Sequence, residues 1–301
     1  MNPTVSVLFT SYNHRAHLEE ALDSVRKQTY PALEILALDD GSTDGSREWL
    51  SGQSDVRCIF HSENLGTYAS LNVGLNQAQG DWVAVLNDDD VWMPEKLARQ
   101  IEAIKANPQA KLVSTYGHFI GPEGETIPGE PLGFAFPRMD EGPNRSFLPL
   151  VVRNRIIASS AMFDRELALS LGGFDPSYFG CGDWDFWLKI ARAHEVAFVD
   201  EDLTLYRVHP TNASRHQDKM EADTRRIREC IDAESAVHPL RGSREFQAAF
   251  GLNAAALARN YAQIGERKKA RAMFAKSLRY APGRWQTYLR WLASEFGIYG
   301  G

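Results

Sequence analysis

Along the first hundred positions, apolar residues fall into two alternating rhythms. Val5-Ser6-Val7-Leu8-Phe9 is a short, nearly continuous run closed by the polar turn Thr10-Ser11-Tyr12-Asn13, and it predicts a buried strand. Leu18, Ala21, Leu22 and Val25 then recur at helical spacing. The exchange repeats, with strands over Leu33 to Leu38, Val56 to Phe60 and Trp82 to Leu86. Between and after them, helical faces appear at Tyr68, Leu71, Leu75 and Ala78 and at Leu97, Ile101 and Ile104. This alternation predicts right-handed βαβ units, an α/β class and a mainly parallel sheet flanked by helices. In such sheets ligands bind beyond the carboxyl ends of the strands, where all the polar turns fall.

The rhythm breaks over residues 117–146, which hold six Gly and five Pro and predict a long irregular functional loop. Order resumes over Ile156 to Phe163, followed by a tight turn at Gly172-Gly173-Phe174-Asp175-Pro176. A helix opens at Asp183 with its apolar face at Trp184, Trp187, Leu188 and Ala191, and a strand from Leu203 to Val208 ends at His209-Pro210. From about residue 217 the pattern is helical. Leu257, Tyr261, Gly265, Ala270, Phe274 and Pro282 match one tetratricopeptide unit, which needs flanking helices or a partner to bury its face. The organisation predicted is an α/β domain over 1–216 and a helical tail over 217–301.

Composition adds the compartment. The 301 residues contain no apolar run near the ~20 that a membrane span needs, and the start lacks a signal peptide's pattern. Cys58, Cys181 and Cys230 are scattered and in no metal-ligand spacing, which fits a reducing cytoplasm. The net charge of −6 is unevenly spread: residues 201–301 carry 17 Lys+Arg against 11 Asp+Glu. The remainder is strongly acidic, which argues against nucleic-acid binding there. Near the end, Trp285, Tyr288, Leu289 and Leu292 share one helical face beside Arg284 and Arg290. That face can cap the tetratricopeptide-like pair, join two copies into a homodimer, or lie peripherally on an anionic membrane surface.

Chemistry enters at Asp88-Asp89-Asp90, three carboxylates directly behind a strand. Their mutual repulsion calls for a cation, and oxygen ligands of this kind suit Mg²⁺ or Mn²⁺ shared with substrate phosphates. A solvated turn capping the helix after Pro94 and Glu95 is the plainer reading. Against it stands a second acidic turn, Asp39-Asp40-Gly41-Ser42-Thr43-Asp44, behind another strand. Two carboxylate-tipped strands suggest a shared nucleotide and metal site.

Taken in order, these motifs resemble the inverting glycosyltransferase family 2, with its GT-A fold. The residues carrying the resemblance are Val5 to Asn13, Asp39 to Asp44, Asn64-Leu65-Gly66 with Asn72, Asp88 to Asp90 with Trp92-Met93-Pro94-Glu95-Lys96-Leu97, Gly172 to Asp175, Asp183-Trp184-Asp185, and Tyr206-Arg207-Val208-His209. Two positions depart from the family pattern. Gly182 stands where an acidic residue often precedes the helix aspartate, and Leu71 stands where many members have Arg.

The resemblance implies transfer of a sugar from a nucleotide diphosphate sugar, UDP by preference, to an acceptor hydroxyl with inversion. The acceptor classes are a glycan, a glycolipid or a protein, as in cell-surface polysaccharide or glycolipid assembly. By family position Asp89 is the direct metal ligand, with Asp90 beside it and His209 closing the site from the far side. Asp88 is assigned to the nucleotide or donor sugar, and Asp183 to the general base, with Asp185 as the competitor. Nucleotide recognition is expected at the first two strand ends: Tyr12 against the base, Asp40 accepting from a base N–H as uracil would offer, and Thr10, Asn13 and Asn72 nearby. Arg207 and Arg215 are expected to approach the diphosphate when the loop after His209 closes. A sugar nucleotidyltransferase is the other enzyme class considered, but it would open with a glycine-rich phosphate loop, and Thr10 to His14 contains no glycine. An inactive domain serving as an interaction module is disfavoured by the intact carboxylates and His209.

Overall fold

Residues 5–11 are buried almost throughout and form β1 (Val5–Ser11), the first strand of a nine-stranded sheet. The structure is a computed structural model that describes residues 2–129, 147–236, 238, 240–283 and 289. The chain continues through α1 (Leu18–Arg26), β2 (Glu34–Asp39), α2 (Ser46–Ser51), β3 (Arg57–Phe60), α3 (Thr67–Gln77) and β4 (Trp82–Asn87). These four strands pair in parallel in the order β3-β2-β1-β4. Because β1 lies between β2 and β4, the strand order reverses there, the place where sheets of this kind bind ligands beyond the carboxyl ends of their strands. Alternate residues Val5, Val7, Phe9, Ala84 and Leu86 pack with Leu18 and Leu22 of α1, so burial of one apolar stripe fixes that helix on the sheet.

The sheet then turns mixed. After β5 (Val91–Trp92) and α4 (Lys96–Ala106) come β6 (Ala110–Ile120) and β7 (Thr126–Ile127). Next are β8 (Met162–Asp164), α6 (Arg165–Ser170), α7 (Gly182–Ala191) and β9 (Glu195–Arg207). β8 runs antiparallel to both β4 and β6, whereas β6 and β9 are parallel. The expected mainly parallel sheet therefore holds for β1 to β4 and for the β6–β9 pair only. Two sequence expectations are corrected here. Residues 117–120 belong to a long strand instead of an irregular stretch, because β9 supplies hydrogen-bonding partners as far as Ile120 and absorbs Gly117 at a register shift. The last strand begins at Glu195, well before Leu203. Residues 130–146 of the irregular stretch lie outside the described residues.

α7 is anchored by aromatic rings. Phe174 and Phe186 stand 4.3 Å apart, and Phe163 stands 5.3 Å from Phe186. These contacts fix the start of α7, where Asp183 sits, against β8 and the turn before the helix.

The chain divides into two compact units, one formed by 1–146 and 155–216, the other by 147–154 and 217–301. The second contains α5 (Phe147–Val152), α8 (Gln217–Glu234), α9 (Arg244–Gln263) and α10 (Arg267–Tyr280). α9 and α10 meet at a turn where Gly265 takes φ 79°, and they bury Leu257, Tyr261 and Ala270 between them. Flanking helices complete the packing: Arg228 of α8 donates to Asn253 of α9 (3.0 Å) and to the Val152 carbonyl of α5 (3.2 Å). Leu289 is the single described member of the terminal aromatic face; Arg284, Trp285, Tyr288, Arg290, Trp291, Leu292 and Phe296 lie outside the described residues. Among the described residues no helix is long and apolar enough to cross a membrane.

Candidate active site

The three aspartates behind β4 divide into three roles. Asp88 is held under the β1 turn, accepting from the Tyr12 amide (2.9 Å) and pairing with His14 Nδ1 (2.8 Å). Burial pushes its pKa up, and the His14 contact opposes that. Burial in turn works to lower His14, but the Asp88 hydrogen bond and the charges of Asp88, Asp89 and Asp44 outweigh it and raise the imidazole to about 9. Asp89 turns the other way: its Oδ2 lies 3.0 Å from His209 Nε2 and 3.2 Å from the Asn212 amide nitrogen.

Asp90 points inward and does not join a metal group. It is fully buried, accepts from the Ser159 hydroxyl and from the Arg207 amide (3.0 Å), and so ties β4 to the end of β9. Burial, then the Asp89 charge, push its carboxyl well above the usual carboxylate range.

Several nucleotide candidates are engaged elsewhere. Asp40, expected to meet a base, instead accepts from the Leu65 (2.8 Å) and Gly66 (2.9 Å) amides and fixes the loop before α3. Asn72 donates to the Phe174 carbonyl (2.8 Å) and accepts from the Phe174 amide (2.9 Å), so it latches α3 to the Gly173 turn. Asn13, expected beside the nucleotide, lies in the turn before α1, whose N-cap position is His17. It takes φ 56° and accepts from the Thr43 amide at 2.8 Å, joining the turns after β1 and β2. Thr10 donates to Asn87 (3.1 Å), while Tyr12 leaves its ring 44% exposed, open to stacking against a base.

A buried carboxylate with an open oxygen stands one residue before Asp40. Asp39 ends β2 with no exposure, and its Oδ1 accepts from the Ser42 amide (3.2 Å). Its Oδ2 has no partner, nor has the buried hydroxyl of Ser11 directly across the strand pair. Orphaned buried acceptors are costly and mark places where a ligand completes the bonding. The signal was present in the sequence, since Asp39 is the last residue of an apolar strand.

Arg207 is not a lid residue. It is 1% exposed and donates through Nε to the Asp89 carbonyl (2.8 Å) and through Nη1 to the Gly121 and Pro122 carbonyls (3.0 Å each). Its Nη2 pairs with Glu20. It braces the Asp89 loop from beneath. Arg215 is exposed and donates through Nε to the His209 carbonyl (3.0 Å).

Asp183, in the first turn of α7, is partly buried, its Oδ1 accepting from the Trp184 amide (2.7 Å). Asp185 is buried and paired with Lys189 one turn on (2.7 Å). The missing acidic residue at Gly182 has a steric cause. A Cβ there would lie 2.8 Å from the Tyr68 ring, and the Gly182 and Asp183 amides face the Tyr68 hydroxyl.

Two ligand atoms at right angles, about 2.1 Å from an octahedral ion, stand about 3.0 Å apart. His209 Nε2 and Asp89 Oδ2 have that spacing. Thr211 Oγ1 meets His209 Nδ1 (2.8 Å); in the tautomer protonated at Nδ1, Nε2 and Asp89 Oδ2 share the Asn212 amide nitrogen, 3.2 Å from each, and keep lone pairs to offer a cation. The residues present therefore fit a divalent ion.

Comparisons with known proteins bear on the family and the fold. The family model for glycosyl transferase family 2 matches residues 6–169. An uncharacterized glycosyltransferase of Rickettsia typhi is 28% identical over 223 residues, 72% of this chain and 68% of the relative. The crystal structure of S. aureus TarS 1–349 resembles this fold with a TM-score of 0.67 at 18% identity, covering 98% of this chain and 88% of that one. TarS 1–349 is also known in complex with UDP-GlcNAc. The mannosyltransferase PcManGT from Pyrobaculum calidifontis, in complex with GDP-Man and Mn²⁺, gives 0.63 at 21% identity, covering 99% and 87%. Strand order, carboxylate-tipped turns and family match converge: this chain is a glycosyltransferase of the GT-A fold and belongs to glycosyl transferase family 2.

Proposed function

We propose that the chain is an inverting, metal-assisted glycosyltransferase that uses a UDP-sugar donor and Asp183 as general base. The observation carrying this reading is the open Oδ2 of Asp39 at the β1–β2 strand ends. Uracil offers a single N3–H, which suits one open carboxylate oxygen. Guanine offers adjacent N1–H and N2–H donors, which call for two, and Asp39 Oδ1 is already held by Ser42. Tyr12 supplies an aromatic face beside that slot.

A divalent ion held by Asp89 and His209 would supply Lewis acidity to the leaving diphosphate. Arg215 adds a mobile positive charge to the same leaving group. Asp183 takes the proton of the acceptor hydroxyl as it attacks the face opposite the diphosphate; a carboxylate at a helix start is kept ionised by the backbone dipole. The Lys189 ion pair leaves Asp185 less suited to that role. The acceptor is a hydroxyl of a glycan, glycolipid or protein, in keeping with cell-surface polysaccharide or glycolipid assembly on the cytoplasmic side.

The test is release of nucleoside diphosphate from UDP- and GDP-sugars with Mn²⁺ or EDTA, using the parent and Asp183→Asn. The expected result is Mn²⁺-dependent UDP release that falls by roughly 10²–10⁴-fold in the variant while donor binding persists. Preference for GDP-sugars would overturn the base assignment, and near-parental turnover of Asp183→Asn would overturn the general base.

A further inference from the structure

His14 lies in the β1 turn, outside every motif that carried the family resemblance beyond Asn13. The fold nevertheless brings it to His209, with ring centroids 4.9 Å apart. One ligand nitrogen from each of these rings and one oxygen of Asp89 lie within 4.8 Å of one another. Opposite ligands of an octahedral ion are separated by about 4.2 Å at metal–ligand distances of about 2.1 Å. The three ligand atoms are therefore grouped on the scale of one coordination sphere.

The surroundings of the two rings are arranged alike. Asp88 holds Nδ1 of His14 at 2.8 Å, and Thr211 holds Nδ1 of His209 at 2.8 Å. An acceptor on one ring nitrogen fixes orientation and leaves the other nitrogen for a metal, the usual outer support of ligating histidines. His17, 5.3 Å from His209 by ring centroids, is outside the three-residue group.

We propose that His14 is the third protein ligand of the divalent ion, with Asp88 as its positioning residue. Resting on the transferase reading above, this assigns the ion a specificity. The three oxygens that the Asp88-Asp89-Asp90 run implies would suit Mg²⁺. Two imidazoles and one carboxylate instead favour Mn²⁺, Co²⁺ or Zn²⁺, because Mg²⁺ is a hard ion that prefers oxygen and sheds water reluctantly. About three octahedral positions remain for diphosphate oxygens and water.

The test uses the full chain stripped with chelator and titrated with Mn²⁺ alone, without nucleotide. Free Mn²⁺ is read by electron paramagnetic resonance, and bound histidine nitrogens by pulsed resonance on ¹⁵N-histidine-labelled protein. The parent should show two coupled imidazole nitrogens and resist displacement by a large excess of Mg²⁺. His14→Ala should show one nitrogen, bind Mn²⁺ at least about tenfold more weakly and lose the resistance to Mg²⁺. Asp88→Asn, which keeps the His14 ring, should retain two nitrogens with intermediate affinity.

A single nitrogen in the parent overturns the assignment even if the His14 variant does not fold. An unchanged nitrogen count and affinity in His14→Ala overturns it as well. UDP-sugar turnover is measured separately. Mn²⁺-dependent turnover with a one-nitrogen signature removes His14 alone, whereas a two-nitrogen signature without UDP-sugar turnover removes the UDP-sugar reading and leaves the metal site standing.

Discussion

Gly182→Ala should damage both stability and catalysis through one methyl group. The added Cβ would sit 2.8 Å from Tyr68 Cδ2 and Cε2 and 3.0 Å from Cζ, against the 3.5–4.0 Å of an ordinary carbon contact. Tyr68 has nowhere to retreat: it is 5% exposed and stacks on Phe174 at 5.8 Å. Overpacking of this kind costs about 1–3 kcal/mol. Replacing Gly by Ala in a helix returns at most about 1 kcal/mol, less at the first helical position. The net loss is about 1–2 kcal/mol, or roughly 2–8 °C in Tm for a unit of this size. The strain also turns the start of α7, and an ångström of displacement at Asp183 is worth up to about a hundredfold in rate. Thermal denaturation and initial rates of UDP release measure the two effects. The decisive control is a double-mutant cycle with Tyr68→Ala, in which the methyl enters vacated space. The cycle should then show about 1–2 kcal/mol of favourable coupling. Parental stability of Gly182→Ala, or strict additivity in the cycle, would refute the steric account of this position.

Asp39→Asn should weaken UDP binding about tenfold to a hundredfold, the worth of one charge-assisted hydrogen bond, in calorimetric titration; unchanged affinity would remove Asp39 from the base slot. Asn72→Ala strips two bonds from the Phe174 backbone and should cost about 1–3 kcal/mol in urea denaturation, with UDP affinity kept; the opposite pattern would restore Asn72 to the nucleotide. Lys96 is fully buried, bonded to Gln100 (2.9 Å), with its pKa driven well below the lysine range by burial. Its folded pKa being lowered, the penalty on stability is complete below that value and fades as pH rises through about 10.4, so any advantage of Lys96→Met should shrink between neutral pH and pH 10. A difference in stability that does not change with pH would contradict this.

The sequence made the β1–β4 framework legible because each strand is an apolar run closed by a polar turn, and each following helix carries its own stripe. β6 escaped because Gly117, Gly121 and Pro122 resemble loop composition, whereas its hydrogen bonds depend on β9, distant in sequence. The acidic residues Glu195, Asp200, Glu201 and Asp202 likewise masked the first part of β9. At the site, residue types and strand ends were readable, but the allocation of bonds was not. Asp39 and Asp40 are adjacent carboxylates, and only the fold reveals that one is occupied by the Leu65 and Gly66 amides while the other keeps an open oxygen. Arg207 read as a cation free to approach a diphosphate because nothing local betrays the carbonyls of Asp89, Gly121 and Pro122 around it.

The threading of α5 bears on how such enzymes exchange parts. The chain leaves the first unit after residue 146, contributes Phe147, Leu150 and Val151 to the interior of the second, and returns at 155. Phe147 stacks on His238, and Arg228 reaches the Val152 carbonyl, so this short helix is matched to the residues of the tail. One recombination event near residue 216 would give a new tail to an old α5, leaving mismatched apolar surfaces on both. A swap that keeps residues 155–216 needs three crossovers, one on each side of α5 and one near residue 216. The helical region is thus inherited with a passage from the middle of the transferase sequence, and lineages can trade it only as a coadapted pair.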